Sequence, residues 1–145
     1  MIKIAIFCSL AALVLGPRQE AEQYAVIVNA KNTCSQTGDA LKSTIKKLFL
    51  KELTKWPDGT EAKPYSRKDD ADETAAFLKS VLDMSQAELA RHWLKMKNTN
   101  GITPPNEVSS ERMVLKYVAK HDGAFGIVKL SVAEGESDVK ILYKF

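Results

Sequence analysis

The sequence predicts a mixed α/β domain, and three observations lead there. The run Gly123-Ala124-Phe125-Gly126-Ile127-Val128 places Phe125 and Ile127 on one face of a strand and Ala124 and Val128 on the other. Both faces are apolar, as in a strand covered by helices on both sides. Its two glycines indicate another chain segment packed closely against it. Tyr24 to Asn29 is a second β-rich, continuously apolar run, and segments of helical periodicity separate the two.

In chain order, Tyr24 to Asn29 forms a buried strand and Asn32 to Gly38 supplies turn residues after it. Leu41, Ile45, Leu48 and Phe49 recur at helical spacing, with Lys46, Lys47 and Lys51 near the negative end of the helix dipole, and this helix ends before Trp56. Trp56-Pro57-Asp58-Gly59 is a turn, because proline presets one dihedral and glycine accepts the positive φ that closes it. A short strand over Glu61 to Ser66 follows.

Phe77, Leu78, Val81 and Leu82 mark one face of a helix that starts at Asp70-Ala71-Asp72-Glu73. Ser85-Gln86-Ala87-Glu88 is a capping box for the next helix, whose apolar face is Leu89, Trp93 and Met96. Asn98 to Val108, with Gly101, Pro104 and Pro105, reads as an ordered loop. Ser109 caps a further helix lined by Val114, Tyr117 and Val118 and stopped by Gly123. The glycine-bearing strand comes next, and the last strand is Val139 to Tyr143. The predicted order is strand, helix, strand, three helices, strand, strand: a mixed sheet of about four strands flanked by helices.

At 145 residues and 45% hydrophobic, the chain makes one domain that buries roughly two thirds of its unfolded surface. The net charge of +3 comes from 21 basic and 18 acidic residues spread along the sequence. Aromatic and basic residues do not alternate in any segment, which argues against a nucleic-acid binder.

Lys3 and the apolar run Ile4 to Leu15 read as a secretion signal, too short to span a bilayer. We place the signal at residues 1–21, with a cut anywhere between Gly16 and Gln23, and the mature domain at 22–145. This predicts a periplasmic protein with no stable membrane span after signal removal. Cys8 lacks the preceding small residue that a lipid-modification site needs. Cys34 is then the single cysteine of the mature chain, without a disulfide partner, and reads as a small half-buried residue.

Asn29, Leu48-Phe49-Leu50, Trp56-Pro57-Asp58-Gly59, Arg67, Phe77, Trp93, Gly101, Pro104-Pro105 and Gly123-Ala124-Phe125-Gly126 come in a recognisable order. In that order and spacing the chain resembles the phosphate-binding proteins of ABC importers, and more closely the short exported proteins that keep about half of that fold. The resemblance covers Tyr24 to about Leu130. It implies a single periplasmic-binding-protein-like lobe, normally one of two that close over an oxyanion through helix-N-terminal amides and hydroxyls. In the larger relatives an arginine stands four residues before a Ser-Gly-Thr at a helix start, and together they hold phosphate. Arg67 matches the arginine.

The departures from that pattern lie at the same place. The Ser-Gly-Thr positions are Ala71, Asp72 and Glu73 here, Thr74 is one residue late, and the glycine that follows Leu-Phe-Leu in the relatives is Lys51. Asp69, Asp70, Asp72 and Glu73 crowd the implied site with carboxylates. Each one held about 4 Å from an anionic charge costs on the order of 1 kcal/mol even in bulk water. Arg67 therefore has two readings, an anion ligand or a surface arginine paired with Asp69, Asp70 or Asp72. The implied ligand-binding set is Arg67, Thr74 and Asp72.

Catalysis finds little support. His92 sits on a helix beside Trp93 and His121 in the turn before Gly123, with no nucleophile motif attached to either, and neither a phosphate loop nor metal-ligand spacing occurs. No cofactor is expected. Two functions of different class follow. One is a non-catalytic exported solute-binding protein for inorganic phosphate or another oxyanion, acting with an ABC importer. The other is a ligand-less interaction or sensory module of the cell envelope, with the lobe kept as scaffold for an envelope protein or a second copy.

Overall fold

The computed structural model describes Gly16 and residues 21–145; the signal-like run and Cys8 lie outside the described residues. The elements are β1 (Tyr24–Asn29), α1 (Gly38–Phe49), β2 (Lys63–Ser66), α2 (Asp72–Phe77), a π-helical turn (Leu78–Leu82), α3 (Gln86–Asn100), β3 (Asn106–Glu107), α4 (Glu111–Lys120), β4 (Ala124–Lys129), α5 (Leu130–Ala133) and β5 (Val139–Lys144). One five-stranded mixed sheet runs in the order β3-β2-β4-β1-β5. β1 pairs antiparallel with both β4 and β5, whereas β2 pairs parallel with both β4 and β3.

Both faces of the sheet are covered. Val26, Val28, Phe125 and Ile127 point into one core with Leu41, Ile45 and Leu48 of α1 and with Phe77, Leu78, Val81 and Leu82. Ala25, Ile27, Ala124 and Val128 point into the other with Val114 and Val118 of α4. This alternation is the two-sided burial that the glycine-bearing strand predicts. Asn29 links the layers, its buried side-chain amide donating to the carbonyls of Val118 and Ala119 at the end of α4.

The glycines of the diagnostic strand act by different contacts. A Cβ at Gly123 would fall 1.7 Å from the backbone oxygen of Glu61, whereas one at Gly126 would fall 2.5 Å from Cγ1 of Val114 on α4. The carbonyl of Gly123 accepts from both the Trp56 indole, at 2.9 Å, and the Lys63 amide, at 3.0 Å, which fixes the Trp56 turn against β4. In that turn Gly59 takes φ +90°, and the Asp58 carboxylate accepts from the Thr33 hydroxyl and the Thr60 amide. Those bonds hold its carboxyl below the usual carboxylate range.

Several boundaries move. β3 is a fifth strand inside the segment read as loop, and α3 runs to Asn100, where Gly101 ends it with φ +67°. Ser110 rather than Ser109 caps α4, its Oγ accepting from the Met113 amide. The capping box at Ser85 and Glu88 has both of its hydrogen bonds. Lys51 is only half exposed and has φ +57°, and burial pulls its pKa down.

Candidate functional site

β2 ends at Ser66 and delivers Arg67 to the mouth of a groove of about 300 Å³. One wall is α3, through Leu89, Ala90 and Trp93; the other is the end of β2 with Phe49 and Thr74, and Pro104 and Pro105 close the end. The packing explains why the groove stays open. α3 buries no residue fully, and Leu89 and Trp93 touch the core only in part, so the helix stands off from the sheet.

Within this site Arg67 is engaged on two sides. Its Nε donates to Oε1 of Glu73 at 2.7 Å, and Nη1 donates to the carbonyl of Val108 at 2.8 Å. The two side chains are 15% and 5% exposed, so this is a buried charge pair, the one ion pair within 4.0 Å among the described residues. The surface pairing with Asp69, Asp70 or Asp72 is corrected: all three aspartates are exposed, and Glu73 takes the arginine instead. The sequence held a signal for this. Glu73 lies four residues before the buried Phe77, hence on the inward side of the same helix, and a carboxylate carried inside needs a cation.

Thr74 lines the same groove as Arg67, but its hydroxyl donates to the carbonyl of Lys68 at 2.7 Å and its amide to that of Ala71 at 3.1 Å. Ala71 stands at the cap position of α2 and supplies no side-chain acceptor. Asp72 is exposed and does not line the groove; its charge acts on Tyr24, whose pKa is raised chiefly by burial and next by Asp72. The structure thus brings Arg67 and Thr74 together and leaves Asp72 outside. Ser66 and Glu73 are the additions. Behind Arg67 lies a void of only about 20 Å³ lined by Phe49, Ser66, Phe77 and Ile127.

A ring nitrogen of His92 bonds the carbonyl of Leu50 at 2.9 Å, and His121 ends α4. Among the described residues no group of three or more His, Cys, Asp or Glu could hold a metal ion, and no helix is long and apolar enough to cross a membrane. Cys34 is a half-buried free thiol.

The two-faced sheet, with this groove at the ends of β2 and β3, matches solved structures. The fold is periplasmic-binding-protein-like. An ABC-type phosphate transport receptor from Vibrio cholerae superposes with a TM-score of 0.62 at 15% identity, over 83% of this chain and 45% of the receptor. A phosphate ABC transporter substrate-binding protein from Clostridium perfringens, solved with bound phosphate, gives 0.63 at 14% identity over 83% and 44%. PstS from Borrelia burgdorferi gives 0.57 at 13% identity over 83% and 47%. The chain spans less than half the length of these proteins. No family profile and no curated protein matches the sequence.

Proposed function

We propose that the chain is an exported, non-catalytic solute-binding-type lobe that takes phosphate or a related oxyanion at Arg67, in the service of an ABC importer or another phosphate-responsive system of the envelope. The observation that carries this reading is the convergence of Arg67, Ser66 and Thr74 on one groove at the end of β2, in a lobe whose structural neighbours are phosphate-binding. An arginine fork set beside hydroxyls suits a tetrahedral anion. Asp72 stays outside this set, although its neighbour in sequence is the one that reaches Arg67.

A second reading is favoured by the Arg67–Glu73 pair: a module that has given up the free ligand and uses the lobe as a scaffold for an envelope protein. A thermal-shift titration separates the two. Phosphate or sulfate, with chloride at matched ionic strength as control, is expected to give a saturable stabilisation of RT ln(1 + [L]/Kd), about 2.7 kcal/mol at a hundredfold excess over Kd. No selective shift at tens of millimolar anion would transfer the weight to the scaffold reading.

A further inference from the structure

We infer that Glu73 is an internal competitor for the oxyanion site and the residue that sets the affinity of this lobe for phosphate or sulfate. The inference rests on the reading of Arg67 as the anion anchor. Towards an arginine, a carboxylate offers the same recognition as a phosphate, oxygens of negative charge within reach of the guanidinium fork. Glu73 makes that contact already, at 2.7 Å from Nε, while Nη1 is spent on the Val108 carbonyl.

The surroundings leave no room for a second anion beside the first. The void behind Arg67, about 20 Å³, is on the scale that holds about one water, and Phe49, Phe77 and Ile127 make much of its lining apolar while Glu73 also faces it, so it is a poor seat for a tetrahedral oxyanion. Approach is confined to the open groove, where Asp69 and Glu107 stand on the rim. An anion arriving from that side must displace the Glu73 carboxylate from Arg67 or bind in contact with it, and two like charges in a site this dry repel strongly. Among the described residues every fully buried side-chain nitrogen and oxygen has a hydrogen-bond partner.

Glu73 differs in this from the other acids nearby. Asp69, Asp70 and Asp72 are exposed and screened by water, whereas the Glu73 side chain is 5% exposed and held by its helix on the inward side. One carboxylate, rather than the acidic segment as a whole, therefore governs whether the arginine is available.

The test is calorimetry and thermal shift with inorganic phosphate and with sulfate on the purified chain, on Glu73→Gln, which keeps the shape and removes the charge, and on Glu73→Thr, which clears space and adds a hydroxyl. The expected result is binding at least about tenfold tighter than wild type in one or both variants, the worth of one charge-assisted hydrogen bond, and loss of that gain when Arg67→Gln is added. Circular dichroism and urea melts with and without phosphate establish that each variant is folded. Binding in the variants with none in the wild type supports the inference and transfers the native function to the scaffold reading. Wild-type binding that is equal or tighter overturns the inference and leaves the proposed function standing. Folded variants and wild type that all fail to bind overturn both.

Discussion

Arg67 and Gly126 carry the two arguments that work at the level of single residues. Arg67 is held by one carboxylate and one carbonyl, which orients its guanidinium within a largely dry site. Removing one partner of a buried pair typically costs about 3–5 kcal/mol because the other charge is left uncompensated; at 15% exposure the arginine retains some hydration, which places this pair toward the lower end. Gly126 makes room for α4, since its missing Cβ would meet a methyl of Val114 at 2.5 Å. Gly126→Ala is expected to destabilise the domain by about 1–3 kcal/mol through overpacking. Adding Val114→Ala should recover part of that cost, because the clash is with a side chain that the second substitution removes. Gly123→Ala, whose Cβ would meet backbone at 1.7 Å, should admit no such rescue. Urea denaturation of the variants reads all three, and strict additivity of Gly126→Ala and Val114→Ala would contradict the packing described for α4.

At the level of elements, α3 is the least anchored helix beside the site. It has a complete capping box and a glycine C-cap but no fully buried residue, and it exposes 60% of Leu94. Its order depends on local terms and on the half-buried Leu89 and Trp93, so its amides are expected to exchange with solvent well before those of β1 and β4. Ser85→Ala, which removes a cap worth about 1 kcal/mol, should speed exchange in α3 by several-fold and leave β4 unchanged. Uniform acceleration across both would mean that α3 opens only with the whole domain. Much of this layout was legible in the residues. Continuous apolar runs locate β1 and β4, helical spacing locates α1 and α4, and the capping box locates the start of α3, because each signal is local to its own element. The two-residue strand β3 carries no such signal, and it exists only through its pairing with β2. The Ser109 cap failed by one residue for a related reason, since two adjacent serines offer the same hydroxyl and only the tertiary position of α4 selects between them.

Taken whole, the molecule is a three-layer lobe whose sheet is buried on both faces and whose β2 and β3 ends open on a groove. The site was only half legible in the sequence. Arg67 matches a motif position and Thr74 lies one residue past one, and both line the groove. Asp72 was assigned from the same motif and points elsewhere, because the residue one step along the helix is the one that turns inward. The acidic segment looked like a diffuse repulsive field, yet in three dimensions its exposed aspartates stand apart from one buried glutamate. That buried glutamate holds Arg67, the residue proposed above as the anion anchor of the lobe. The most direct measurement is nitrogen-15 NMR of the Arg67 side-chain Nε–H, assigned by its loss in Arg67→Lys, during a titration with phosphate. The expected result is a protected, downfield resonance that stays in place at submillimolar phosphate and moves only at millimolar concentrations, as the carboxylate is displaced. A rapidly exchanging resonance in the free protein, or one that saturates at micromolar phosphate, would contradict it.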